Sequence, residues 1–402
     1  MKRLQAYKFL IEPNGAQIRQ MHQFAGNSRK VWNLALAQQQ ANYALGEKFT
    51  SVFGMNNWLP SFKKEFPFLR ESPAQTLQQV MADLGRAYQG FFDKRSDHPK
   101  FKKKGKARLS FRFPDAKQFT IDEANKRIKL PKLDWIRYRK SRAILGDIKN
   151  ITISCVANKW YASIQTMLEV EKPIHPSTSI VGIDVGINLF ATLSDGTMIK
   201  PANCLRKNST KLAKYQRRLS RQKKFGKNWH KQKHKITRLH QKIAHSRHDF
   251  LHKTSSHICK NHAMIVLEDL KIKNMSATAT GTLESPGKNI AAKSGLNKSI
   301  LDQGWGEFRR QLEYKQSWLG GDVIVINPKN TSRTCPACHH ISALNRPTQA
   351  EFVCVECGHS EHADVNAAIN ILRAGHARLA CQVNDAVISP ATGTHRSDSI
   401  RC

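Results

Sequence analysis

Apolar and polar residues alternate over positions 4–11, with Tyr7, Phe9 and Ile11 on one side, and this period of two predicts a half-buried β-strand. Pro13-Asn14-Gly15 ends it. The period then lengthens. Ile18, Met21 and Phe24, followed by Val31, Leu34 and Leu36, fall at helical spacing, and Gly26-Asn27 between the two groups predicts a turn. Ser72-Pro73-Ala74-Gln75 has the form of a helix start, with a Ser cap, Pro at the first helical position and Gln three residues after the cap. The stripe expected to face the core is Leu77, Val80, Met81, Leu84, Tyr88 and Phe91. Residues 13–95 therefore read as a helical unit inserted after one strand. Further on, 119–122, 127–130, 135–138 and a hairpin of 151–156 with 160–166, turning at Asn158-Lys159, read as antiparallel strands. Together 1–12 and 96–172 predict a small β-barrel. Pro173 and Pro176 mark a linker and the major domain boundary.

Beyond it the pattern is mixed α/β. Residues 180–183, 189–193 and 198–200 predict a three-strand meander turning at Ser194-Asp195-Gly196, and 264–267 and 323–326 are short apolar strands. Leu212, Tyr215 and Leu219 form one helical stripe and Ile236, Leu239 and Ile243 a second, divided at Gly226-Lys227-Asn228, so 206–247 is a helical hairpin. Residues 276–299 are small and polar, which predicts a mobile loop, and 305–318 predict a helix. After 375 the periodicity disappears, and 376–402 is expected to be a disordered tail. No run of 18 apolar residues exists, which excludes a helical membrane span, and no apolar stretch follows Met1-Lys2-Arg3, which argues against secretion.

Charge sharpens the picture. The chain of 402 residues has 66 Lys and Arg against 30 Asp and Glu, a net +36. Such self-repulsion calls for a polyanion, and the abundant one is nucleic acid. Residues 211–247 carry 14 Lys and Arg and no acid; a coiled-coil partner would want acidic flanks, so a phosphate backbone fits better. The candidate phosphate contacts are Lys100, Lys102, Lys103 and Lys104 in a basic run, and Arg217, Arg218, Arg221, Lys231, Lys233 and Lys235 on the hairpin. Phe111-Arg112-Phe113 suits either base stacking or a core.

Cys335-x2-Cys338-x15-Cys354-x2-Cys357 has the spacing of a zinc ribbon, in which four thiolates close a tetrahedral shell and the metal is structural. His339, His340, His359 and His362 stand close enough to substitute. The other five cysteines (Cys155, Cys204, Cys259, Cys381 and Cys402) are scattered, which fits a reducing cytoplasm rather than a disulfide framework. Three acids attract attention in so basic a chain. Asp184 ends an apolar strand before Val185-Gly186, Glu268 ends another, and Asp364 opens the segment Asp364-Val365-Asn366-Ala367-Ala368. Converging, they could hold magnesium through hard oxygens; singly, they could equally be a turn former, a surface strand end and a helix cap.

Gly182-Ile183-Asp184-Val185-Gly186, Leu267-Glu268-Asp269-Leu270, the knuckles opening Thr331-Ser332-Arg333-Thr334-Cys335-Pro336-Ala337-Cys338, and Asp364-Val365-Asn366-Ala367-Ala368 together resemble the TnpB family of insertion-sequence proteins, relatives of type V CRISPR effectors. Trp305-Gly306-Glu307-Phe308, Tyr314-Lys315 and Leu130-Pro131-Lys132-Leu133 extend the likeness over residues 1–375. The resemblance implies an RNA-guided DNA endonuclease. Its RNase H-like, RuvC-type domain would span 178–334 and 358–375, interrupted by a zinc ribbon at 335–357. A wedge-like barrel (1–12 and 96–172) would carry the helical recognition domain 13–95. Asp184, Glu268 and Asp364 would be the catalytic magnesium ligands of a two-metal hydrolysis, 206–247 a surface for guide RNA or heteroduplex, and 276–299 a lid. The implied partners are a guide RNA transcribed from the transposon end and double-stranded target DNA bearing a short adjacent motif. One protein would hold one RNA in the bacterial cytoplasm, on the nucleoid when bound. A non-cutting RNA-guided regulator and an accessory transposition protein are the competing readings. Two positions depart from the family pattern: His362, where many relatives carry Asp, and His339 after Cys338, where Gly is common.

Overall fold

The computed structural model describes residues 1–282 and 284–388. The chain divides into two compact units, Met1–Glu171 and Lys172–Cys402.

In the first unit, strand β1 (Lys2–Glu12) buries Tyr7, Phe9 and Ile11. Asn14 and Gln17 then exchange backbone and side-chain hydrogen bonds, both 2.9 Å, in a capping box that starts helix α1 (Gly15–Ala44). The helix runs unbroken through Gly26-Asn27, where a turn was expected. Asn27 is buried, and its amide donates to the Phe68 carbonyl and the Ser72 hydroxyl. Ser72 lies one residue before the cap position, Pro73, of the next long helix and does not cap it. Short helices α2 (Val52–Asn56) and α3 (Leu59–Glu65) lead to α4 (Ala74–Phe92), which begins after Pro73 without a side-chain cap. Leu77, Val80, Met81, Leu84 and Tyr88 are buried as the stripe predicts, whereas Phe91, on the same face but beside the helix end at Phe92, is exposed.

Strands β2 (Leu109–Phe113), β3 (Thr120–Asp122), β4 (Arg127–Leu130), β5 (Asp134–Tyr138), β6 (Asp147–Val156) and β7 (Lys159–Glu169) join β1 in one antiparallel sheet of order β2-β6-β7-β1-β5-β4-β3. No ladder joins β2 to β3, so the expected barrel is an open sheet. Its two edges still share a core, because Phe111 and Phe113 from one edge pack in the same cluster as Phe119 and Ile121 at the other. Those phenylalanines are core residues, not a stacking surface. The β6–β7 turn is Ala157-Asn158, both with positive φ as a tight two-residue hairpin requires, one residue earlier than expected.

In the second unit, β8 (Ile180–Asp184), β9 (Ala191–Leu193) and β10 (Met198–Ile199) form the meander. Strands β11 (Met264–Glu268) and β12 (Asp322–Ile326) run parallel to β8, giving the order β10-β9-β8-β11-β12. Helices α5 (Cys204–Ser220) and α6 (Lys227–Asn261) make the basic hairpin over a small core of Cys204, Leu212, Leu239 and Ile243. Its second helix continues past 247 and buries Leu251, Ile258 and Cys259 in the main core. Helix α7 (Ile272–Met275) precedes an irregular stretch, and α8 (Ile290–Gln303) then occupies much of the segment 276–299, so the expectation of a loop there fails over 290–299. Helix α9 (Trp305–Leu319) leads into β12. A two-stranded ribbon, β13 (Glu351–Val353) with β14 (Ser360–His362), is followed by α10 (Ala363–Ile388). Helix α10 corrects the tail expectation over 376–388; positions 389–402 lie outside the described residues. Among the described residues no helix is long and apolar enough to cross a membrane.

Candidate active site

Two adjacent parallel strands fix the first pair of acids. Ile183 of β8 registers with Leu267 of β11, so Asp184 and Glu268 follow one step later at the C-terminal ends of neighbouring strands. Helix α10 supplies the third. It crosses β8 at Gly182, where an added Cβ would lie 2.2 Å from the Ala368 carbonyl oxygen and 2.6 Å from the Leu372 nitrogen, so only glycine permits this approach. That contact brings the first turn of α10, with Asp364, over the strand ends. Asp184, Glu268 and Asp364 line one cleft of about 300 Å³, together with Gly186, Asn188, Thr331 and Arg346.

The cleft is short of positive charge. Burial, and then the neighbouring charges of Glu268 and Asp364, push the Asp184 carboxyl up to about 7. Burial also raises Glu268, against which the Thr331 hydroxyl, donating to its Oε1 at 2.6 Å, stabilises the carboxylate. Arg346 lies 3.5 Å from Asp364 Oδ1 and is the cation of the cleft among its lining residues. His362 fills its place differently from an acid: its Nδ1 accepts the Asp364 backbone N–H at 3.2 Å, serving the start of α10. Arg346, Thr331 and the asparagines below were not singled out from the sequence. For Asn366 and Asn370 a signal existed, since two amides at i and i+4 on an Ala- and Ile-rich helix are costly unless bonded.

The ribbon is tied to this cleft. The Cys335, Cys338, Cys354 and Cys357 sulfurs all lie within 4.8 Å of one another, with Cys335–Cys357 at 3.6 Å and Cys338–Cys354 at 3.5 Å. Sulfurs about 2.3 Å from a shared tetrahedral ion would stand at about this separation. Among the described residues this is the group whose potential ligand atoms pack so tightly. The histidines are not needed as ligands. The knuckles match: His339 N–H returns to the Cys335 carbonyl and Gly358 N–H to the Cys354 carbonyl, both 3.0 Å. His339 and Gly358 both have positive φ, 65° and 71°, which explains why glycine suits the position His339 holds. Just before Cys335, the carbonyls of Thr331 and Thr334 accept from buried Asn370 at 2.9 and 2.7 Å, and Asn366 adds a bond to Thr334. The segment leading into the ribbon thus binds α10 and, through Thr331, Glu268.

The basic candidates separate. Arg217, Arg218, Arg221, Lys231, Lys233 and Lys235 are exposed along the hairpin, as are Lys100, Lys103 and Lys104 in the first unit. Lys102 is not free: its Nζ sits 3.4 Å from the Trp32 ring centroid, its backbone N–H donates to Asn33, and burial lowers its pKa.

Three family descriptions match the chain: "Probable transposase" over residues 163–279, "Cas12f1-like, TNB domain" over 305–371 and "Helix-turn-helix domain" over 1–48. The last region is here a strand and one continuous helix. "Putative RNA-guided DNA endonuclease InsQ" of Escherichia coli (strain K12) is 53% identical, covering 95% of this chain and 94% of that protein. A "Putative RNA-guided DNA endonuclease" of Streptomyces pristinaespiralis is 32% identical over 94% and 90%. Among solved structures, the protein in a Cas12f1–sgRNA–target DNA complex shares the fold with a TM-score of 0.51 at 14% identity, over 88% of this chain and 82% of that one. With more than half its residues shared along nearly the full length of a relative, the chain belongs to the TnpB/OrfB family of IS605-type elements.

Proposed function

We propose that the chain is an RNA-guided DNA endonuclease whose catalytic centre is the acidic cleft of its second unit. The observation that carries this reading is that Asp184, Glu268 and Asp364, from three distant stretches of sequence, line one cleft where an uncompensated carboxylate is held near neutrality. The strand order and carboxylate placement support a RuvC-like, RNase H-type assignment. A donor set of carboxylate oxygens fits magnesium, and Asp184, Glu268 and Asp364 would hold it; bound there it would supply charge neutralisation and activation of water at a phosphodiester. Thr331 orients Glu268, and Arg346 stands where a phosphate entering beside Asp364 would meet a guanidinium. The four cysteines would hold zinc, which stabilises the segment anchoring Thr331 and α10. The exposed cations of the hairpin suit guide RNA, and pairing between that RNA and DNA would supply sequence specificity. All three carboxylates are present, which favours cutting over a purely regulatory role.

The test is a purified complex of the full chain with its co-purifying RNA, challenged with a plasmid library matching that RNA in the presence of magnesium. Asp184→Ala is expected to lower cleavage by ~10³-fold or more while RNA affinity stays within a few-fold of wild type. Cleavage at the wild-type rate by that variant would overturn the assignment.

A further inference from the structure

Residues 221–226, Arg-Gln-Lys-Lys-Phe-Gly, join the two helices of the basic hairpin, and Phe225 stands there with 68% of its surface exposed. Its backbone is left-handed, with φ of 68°, a conformation that bulky side chains avoid. Exposure and strain therefore fall on one aromatic residue, and neither contributes to folding. Trp229, half-buried in the first turn of α6, places its ring centroid 5.5 Å from that of Phe225 with the planes 58° apart. Neither ring belongs to the apolar cluster under the hairpin. Cations flank both: Lys224 Nζ lies 5.3 Å from the Phe225 ring centroid and Lys233 Nζ 5.0 Å from that of Trp229. Exposed Arg221, Lys223, Lys227 and Lys231 lie within four residues of one ring or the other along the chain. The start of α6 has no side-chain cap and no acid in its first turn, which adds to the positive potential.

An aromatic surface set wholly among cations fits a ligand that presents a flat apolar face and negative charge together. A nucleobase with its phosphates has that chemistry; a protein surface would need acids placed around an apolar knob. We propose that Phe225 and Trp229 form a stacking platform for an unpaired or terminal base of the RNA that the chain carries. The inference rests on the reading that the chain binds RNA. RNA is favoured over target DNA because the hairpin's 14 cations at 211–247, without one acid, repel each other at all times and call for a resident polyanion.

The experiment uses the full chain and the RNA that co-purifies with it, extracted and rebound. Phe225→Ala with Trp229→Ala should weaken affinity about 5- to 150-fold, the range for loss of one stacked base, without changing the slope of affinity against salt, since no phosphate contact is removed. Phe225→Gly, which suits the left-handed backbone, should melt no lower than wild type and still lose affinity. Ultraviolet crosslinking should join the Phe225 segment to an RNA base. Wild-type affinity in the aromatic variants, lowered melting with unchanged RNA affinity, or crosslinks to target DNA alone would each overturn the platform. Lys231→Ala, Lys233→Ala and Lys235→Ala combined serve as the reference, expected to flatten the salt slope by about 2. If these charge changes weaken binding and the aromatic ones do not, the platform alone falls. If no RNA co-purifies, the platform and the RNA-guided reading fall together.

Discussion

At the proposed catalytic centre, Asp184 is where stability and activity would oppose each other most directly. Its carboxyl titrates near 7 in the folded chain because burial and two neighbouring acids disfavour its charge, whereas in the unfolded chain it titrates near the ordinary value of 3.8. The folded state therefore binds the extra proton between those values, and metal-free stability falls as pH rises from about 4 to about 7. Above that window the charged, buried Asp184 costs on the order of 2–4 kcal/mol. Asp184→Asn removes this cost. With no magnesium added and the zinc left in place, the variant should melt above wild type at about pH 8 and nearly with it at about pH 4, while its RNA complex, supplied with magnesium, should cut no DNA. Thermal melts at the two pH values check this, and a variant less stable than wild type at the higher pH would contradict the account. If magnesium binds in the cleft as proposed, it should stabilise the wild type more than the variant, since a bound cation would offset the repulsion that Asn lacks.

At the scale of elements, what the sequence reveals depends on how far away the deciding partner lies. Strand β1, the stripe of α4 and the four-cysteine spacing are local patterns, and they were legible. Gly26-Asn27 looks like a turn because nothing nearby shows that Asn27 will bond Phe68 and Ser72. Phe111 and Phe113 read equally as a stacking surface or a core until β6 is known to pair beside them. Residues 290–299 and 376–388 lack an apolar stripe of their own and so read as loop and tail. In the site, each carboxylate had a dull local explanation, and residue patterns alone left the converging triad as one alternative; the family resemblance is what favoured it. Arg346 and Thr331 stayed invisible because their roles exist only across the ribbon. That linkage has a consequence. Removing one thiolate should affect more than the knuckle, because Asn366 and Asn370 hold the segment 331–334, and Thr331 holds Glu268. Cys354→Ser is expected to lose zinc, destabilise the second unit by several kcal/mol and abolish cleavage even where some folded protein remains. Zinc content per chain and thermal melting check it; a zinc-free variant that melts and cuts like wild type would show the ribbon to be dispensable.

The whole molecule is governed by its net charge of +36. Acids are too few to pair with the cations, and several of them are already committed: Asp302 is held by buried contacts to Arg247 and the start of α5, and Asp269 is shared by Lys271 and Arg309. The long basic hairpin therefore folds against its own repulsion, and the small core of Cys204, Leu212, Leu239 and Ile243 must offset it. Two opposite salt effects follow from this balance. Without RNA, added salt screens like charges and should raise the melting temperature, most strongly where the Debye length falls from about 30 Å toward about 8 Å. In the proposed RNA complex the phosphates would neutralise the hairpin, and added salt should weaken the complex by favouring counterion return. The melting temperature of the complex should then fall toward that of the free chain as salt rises. Melting curves of the RNA-free and RNA-bound chain across the same salt series decide the matter. Curves that rise together would mean that the charge is a solvated surface with no resident polyanion, and the hairpin would lose its role in holding RNA.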